Sequence, residues 1–304
     1  MLSLLRRSYT PALTIRTFLA LIRRTQPLIH VLYHPLTMSA PASKRQKTTS
    51  STSTSPPYEL LYWPTIPGRG EHIRLCFEET STPYSDLCNE SKSNMQTLTS
   101  LMKGIGNTHN PPPLAPPVLK HGDLVVSQTP NILLYLAPKL DLAGPEGDEN
   151  AIYHINQLAL TALDGLSNET HDVHHPVAVG AYYEEQKEEA KRKAADYIAN
   201  RIPKFLGYFE RVLEGEASKG GEWLYGGVLT WADLVLWQCL DGVTFAFPKA
   251  MGKNREGGKY EKVFALYDRV KERTQIKEYL GSERRKEYSM GIYRYYPELD
   301  LGEE

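Results

Sequence analysis

Two stretches of this sequence gather groups that could do chemistry. The first is LAPPVLKHGDLVVSQTPNILLYL, residues 114–136. Thr129 followed by Pro130 predicts an N-cap and a first helical position, because the hydroxyl can accept an orphan backbone N–H and proline has none to leave unpaired. Ile132, Leu133, Tyr135 and Leu136 continue that helix. A helix that starts directly after a strand aims unsatisfied N–H groups and the positive end of its dipole at the sheet edge, which suits a carboxylate or phosphate. The same start also serves helices that bind nothing. The second stretch is His171-Asp172-Val173-His174-His175. On a helix, His171 and His175 share a face at i, i+4 and could chelate a divalent ion. Pro176 ends such a helix at once and no third ligand stands close in sequence, so a polar pocket wall is the preferred reading and no metal is expected.

The elements that must position these groups follow from pattern. Val118-Leu119-Lys120 and Leu124-Val125-Val126 are β-prone runs separated by His121-Gly122-Asp123, which predicts an antiparallel hairpin leading into the helix at Thr129. Upstream, Glu59 to Trp63 is a short strand stopped by Pro64. A Pro- and Gly-rich loop runs to Gly70, and Ile73, Cys76 and Phe77 recur at helical spacing with Glu71, Arg74 and Glu78 among them, predicting an amphipathic helix over 71–80. Tyr84 to Cys88 forms the next strand. The connection 94–113 holds a short helix, Gly104-Ile105-Gly106 and Pro111-Pro112-Pro113. After the turn-rich linker Asp141 to Asp148 the pattern becomes helical: 150–170, then 183–214 with a kink at Pro203. Thr230-Trp231-Ala232-Asp233 reads as a capping-box variant that starts a helix apolar nearly all round from Leu234 to Leu240, hence a buried central helix. Residues 259–281 supply further helix, and Tyr293 to Pro297 an extended tail that packs back.

Charge divides the chain. Residues 1–57 carry eight Lys or Arg and no acidic residue, leaving 27 basic against 36 acidic groups in the remainder. That body is acidic and is expected to bind no nucleic acid. The arginines of residues 1–37, with Leu, Ile, Ser and Thr between them, have the composition of a mitochondrial transit peptide, although Met38 offers a second start. Arginines break the apolar runs well short of the roughly 20 residues a membrane span needs, so no membrane helix is expected. Residues 39–57 are too polar to join a core. Cys76, Cys88 and Cys239 have no metal or redox spacing, which fits reduced, buried thiols in a cytoplasmic protein.

Taken in order, the motifs resemble the cytosolic glutathione transferases. Pro117-Val118-Leu119 matches the strand that a cis-proline opens in that family, and Gln128-Thr129 matches the polar pair that binds the γ-glutamyl carboxylate of glutathione. YWPTIPGRGEHIR, residues 62–74, resembles the family's tyrosine followed by an Arg- and Gly-rich loop and a helix, with one residue more between Tyr62 and Arg74. The resemblance implies an α+β fold: a leader over 1–57, a thioredoxin-like βαβ–ββα domain over 58–140 that binds glutathione, and an all-helical domain over 150–304. It further implies a sigma- or mu-like enzyme in which Tyr62 donates a hydrogen bond to the glutathione sulfur and Arg69 stands beside it. Glutathione is then co-substrate, the partner a hydrophobic electrophile, and the assembly a homodimer. Pro116, Pro117, Val118, Gln128 and Thr129 would hold glutathione. Pro116 departs from the pattern, since the family's residue at that place offers a backbone N–H that proline lacks. A glutathione-dependent isomerase or a non-catalytic binding protein of the same fold are the alternatives.

Overall fold

The computed structural model describes residues 55–106 and 108–300; the expectations for the basic leader lie outside them but for its last residues. The chain runs through β1 (Tyr58–Leu61), α1 (Glu71–Glu79), β2 (Tyr84–Asp86), α2 (Leu87–Glu90), α3 (Asn94–Met102), β3 (Val118–His121), β4 (Leu124–Ser127) and α4 (Thr129–Leu136). The sheet order is β2-β1-β3-β4, with β1 and β2 parallel and the other pairs antiparallel. This is the expected βαβ–ββα layer. On one face Leu61, Cys88, Leu98, Val118 and Val125 form a small core. On the other, Leu60, Ile73, Phe77, Leu119 and Ile132 belong to the same buried cluster as Ile155, Leu158, Trp231 and Leu236 of the helices that follow, so sheet and helices share one core. Asn110, from the long connection, bonds Asp123 O at 2.9 Å and accepts from Val125 N at 3.1 Å, which covers the open edge of β4.

Three expectations need correction. The strand placed over Tyr84–Cys88 ends at Asp86, because Leu87 and Cys88 turn into α2 and carry the thiol under the sheet. Thr129 is the first residue of α4 rather than its cap, and Gln128 flanks it with φ at 70°. The Thr129 hydroxyl donates instead to Arg69 O at 3.5 Å. Glu71 and Arg74, assigned to the polar face of an amphipathic helix, are both fully buried.

The helical layer comprises α5 (Ala151–Ala162), α6 (Glu169–His174), α7 (Lys187–Asp196), α8 (Ile202–Glu214), α9 (Trp231–Ala246), α10 (Pro248–Glu256), α11 (Glu261–Lys271) and α12 (Thr274–Leu280). Widened π turns join α5 to α6 at Leu163–Asn168 and α7 to α8 at Tyr197–Arg201. The second absorbs Pro203, whose missing N–H would otherwise break the helix there. In the first, the Leu166 carbonyl accepts from the hydroxyls of Thr170 at 2.6 Å and Tyr197 at 3.2 Å. Thirteen of the sixteen residues of α9 are buried, as a helix apolar all round must be.

The start of α9 depends on Asp233. Its carboxylate accepts from Thr230 N at 2.8 Å, Thr230 Oγ1 at 2.7 Å and Leu224 N at 2.8 Å. Burial nonetheless pushes its pKa up to about 6, against the pull of those bonds. An acid with a raised native pKa binds its proton more readily folded than unfolded. Its contribution is therefore fully present below the ordinary value of 3.8 and lost as pH rises through about 6. Between pH 7 and pH 5 wild type should gain about 1 kcal/mol relative to Asp233→Asn in urea unfolding. A constant difference between the two proteins over that range would refute the assignment.

Candidate functional site

Strand register assembles the site. Leu61 pairs with Val118, and Val118 pairs with Ser127, so the residues just past the pairing (Tyr62, Pro117 and Gln128) emerge at one end of the sheet although 66 positions separate the first from the last. The Pro116–Pro117 bond is cis, and both prolines and Val118 are buried. Gln128 is exposed while Thr129, beside it at the start of α4, is buried against the loop.

Tyr62 lies directly after β1 with 4 % of its surface exposed. Its phenolic oxygen accepts from Arg69 N at 2.8 Å, which leaves its own O–H free to donate. The loop can close on the ring only because it has no side chains there: a Cβ on Gly68 would stand 2.2 Å from the Tyr62 oxygen, and one on Gly70 2.7 Å from Cγ. Gly68 also sits at φ +46°, a conformation that favours glycine. Burial raises the Tyr62 pKa, opposed by the Arg69 amide and by the Arg74 and Arg69 charges, so the hydroxyl keeps its proton at neutral pH.

Arg69 follows at the bend. Its guanidinium donates to Asn168 Oδ1 at 2.6 Å, tying the loop after β1 to the π turn before α6. Thr129 reaches the Arg69 carbonyl from the other side. The structure thus brings Tyr62, Arg69, Thr129 and the cis-proline end of β3 to one sheet end. Asn168 was not singled out in the sequence; its only signal there is its place three residues before His171 on a predicted helix.

Behind the loop lies a buried charge network that sequence reasoning also missed. Arg74 donates to Pro67 O at 3.1 Å, pairs with Glu71 at 3.0 Å and Asp86 at 2.7 Å, and lies over the Tyr62 ring at 5.8 Å. Arg285, from the segment after α12, pairs with Glu71 at 2.6 Å and with Asp241 of α9 at 3.0 Å. Burial disfavours the Glu71 charge, yet Arg285 and Arg74, with a 2.7 Å bond from Tyr279, hold its carboxyl below the usual range. The network anchors α1, and through Pro67 the loop that carries Arg69, to the helical layer.

The three thiols are buried, and burial raises the pKa of each, Cys239 to about 12, so none is poised as a nucleophile. Among the described residues no group of three or more His, Cys, Asp or Glu side chains could hold a metal ion, and no helix is long and apolar enough to cross a membrane. A cavity of about 610 Å³ between Ser81, Tyr84, Glu278 and Arg284 shares no residue with the sheet end described above.

Residues 171–283 match the family described as glutathione S-transferase, C-terminal domain. A glutathione S-transferase of Plasmodium falciparum (isolate 3D7) is 24 % identical over 195 residues, covering 63 % of this chain and 83 % of that protein. One of Plasmodium yoelii yoelii is 23 % identical over 135 residues, 44 % of this chain and 55 % of that protein. Among solved structures, the Pi-class glutathione S-transferase of Onchocerca volvulus aligns with a TM-score of 0.53 at 23 % identity, over 73 % of this chain and 91 % of its own. Prostaglandin synthase D of Nilaparvata lugens aligns with a TM-score of 0.53 at 21 % identity, over 75 % and 98 %. At these identities the structural likeness establishes the fold.

Proposed function

Because the chain belongs to the cytosolic glutathione S-transferase superfamily, we propose that it binds glutathione at the sheet end and conjugates its thiolate to an electrophile, in the manner of the sigma- and mu-like tyrosine enzymes. The observation that carries this reading is the Tyr62 hydroxyl, protonated, fixed by the Arg69 amide at 2.8 Å, with the Arg69 cation on the same loop. A free thiol of pKa near 8.5 is mostly protonated at neutral pH, and only the thiolate attacks well. Lowering that pKa by two units takes about 2.7 kcal/mol of preferential interaction with the thiolate, within reach of one charge-assisted hydrogen bond and a nearby cation. With an aryl halide the sulfur forms the new C–S bond, the halide leaves with the bonding pair, and the thiol proton passes to solvent. Pro116, Pro117, Val118, Gln128 and Thr129 hold the peptide, with the free N–H groups at the start of α4 facing the γ-glutamyl carboxylate. Glutathione acts as co-substrate and no metal takes part. The protein works as a homodimer in the cytoplasm when translation starts at Met38, while residues 1–37, where translated, serve as a mitochondrial address.

The reading as a binding protein without turnover draws on Pro116, which lacks the N–H that would bond the cysteinyl backbone; the missing bond is worth about 0.5–1.5 kcal/mol. That predicts weaker binding, not its absence. The full chain should be retained on immobilised glutathione and eluted by free glutathione, with a Kd several-fold above that of Pro116→Ala. Flow-through of the wild type would remove glutathione from the proposal.

A further inference from the structure

The histidine cluster meets its neighbours only in the fold. Asn168 holds the Arg69 guanidinium, and His171, three residues on, follows it along the same helix face. The His175 ring lies 5.0 Å from that of His171, and His174 lies 5.0 and 4.7 Å from the two. The end of the chain is threaded against this face. His174 Nε2–H donates to Ile292 O at 3.0 Å, a Cβ on Gly291 would lie 3.5 Å from Ile66 in the loop after β1, and Tyr296 stacks on Tyr183 at 3.8 Å. Arg294 stands between these anchors, half-buried, its Nε donating to Gly291 O at 3.1 Å. Among the described residues no carboxylate pairs with Arg294, and the side-chain partner of Arg69 is an amide. Of the carboxylates on this helix, Glu169 pairs with Arg201, Asp164 accepts from Asn168, and Asp172 is exposed beside His175. Burial, and after it the His175, Arg294 and Arg69 charges, push His171 down to about 4, so its imidazole is neutral at physiological pH.

A half-buried guanidinium with no anionic partner is an unfinished ion pair, and its planar fork matches a carboxylate. We propose that this wall receives an anionic group of the second substrate: the electrophile carries a carboxylate, seated on Arg294 with a hydrogen bond from the His171 ring, while Arg69 stays with the sulfur. This rests on the glutathione transferase reading and sharpens it, since a purely hydrophobic electrophile would leave Arg294 unpaired.

The test reads binding, independently of turnover. Full-length protein saturated with glutathione is titrated calorimetrically with 3,5-dinitrobenzoate and with 1,3-dinitrobenzene, unreactive probes that differ by one carboxylate. The benzoate should bind about tenfold more tightly. Arg294→Gln should abolish that preference and Arg294→Lys restore part of it, with the neutral probe's affinity and the Tm unchanged. Equal affinities in wild type, or a preference that survives Arg294→Gln, overturn the proposal. If the protein flows through immobilised glutathione, the transferase reading fails, and the same comparison on the unliganded protein still decides whether Arg294 receives a carboxylate.

Discussion

Tyr62→Phe should lower turnover of 1-chloro-2,4-dinitrobenzene at pH 7 by one to two orders of magnitude. The lost interaction is one hydrogen bond to a charged sulfur, worth about 1.5–3 kcal/mol, and each pKa unit the thiol recovers costs about 1.4 kcal/mol or a factor of ten in reactive fraction. The sign with pH follows. Without the donor the thiol titrates nearer its free value, so activity should recover partly as pH rises toward about 8.5, and the absorbance of bound thiolate near neutrality should disappear. The substitution also orphans the Arg69 amide that Tyr62 accepts at 2.8 Å. An unsatisfied buried donor costs about 1–3 kcal/mol, so a fall in Tm of several degrees should accompany the loss of activity. Arg69→Ala should act on the thiol in the same direction but more weakly, while releasing Asn168. Equal turnover of wild type and Tyr62→Phe across pH 6–9 would remove Tyr62 from the mechanism and point to another hydroxyl donor, whereas no turnover in either protein would favour the binding-protein reading.

Glu71→Ala should destabilise the fold by about 3–5 kcal/mol, because it leaves two buried guanidinium groups short of a carboxylate. Arg74 would keep Asp86 and Arg285 would keep Asp241, but each would lose the partner they share. The exposed pair Arg255–Asp268 supplies the control, since Asp268→Asn should change stability by less than about 1 kcal/mol. Urea unfolding of the three proteins at pH 7 checks both magnitudes. A cost for Glu71→Ala no larger than the control's would mean that the network is solvated and does not hold α1 on the helical layer. Glutathione affinity should weaken in Glu71→Ala even where the protein remains folded, because Arg74 fixes the Pro67 carbonyl at the base of the loop that carries Arg69.

The sequence by itself determined what local pattern controls. Alternating and helical periodicities set the βαβ–ββα order and the helical run after residue 150. Thr230 and Asp233 announced the start of the central helix, and the Gln128-Thr129 step announced where the helix after the hairpin begins, within one residue of its observed start. Tyr62, Arg69 and Pro117 were legible as members of one site only through the resemblance to a family. Nothing in their spacing says that Leu61 and Ser127 flank Val118; that is a property of strand register. Only the tertiary structure decided the environment of the charges. Glu71 and Arg74 alternate with apolar residues as exposed groups would, and what buries them is Arg285 and Tyr279, more than 200 positions away. Likewise Asn168, the histidines and Arg294 became neighbours of the loop after β1 because a π turn and the returning tail carry them there. Hydrophobic periodicity reports which face of an element leaves water; which ion meets which is settled by packing between elements, where sequence separation carries no information.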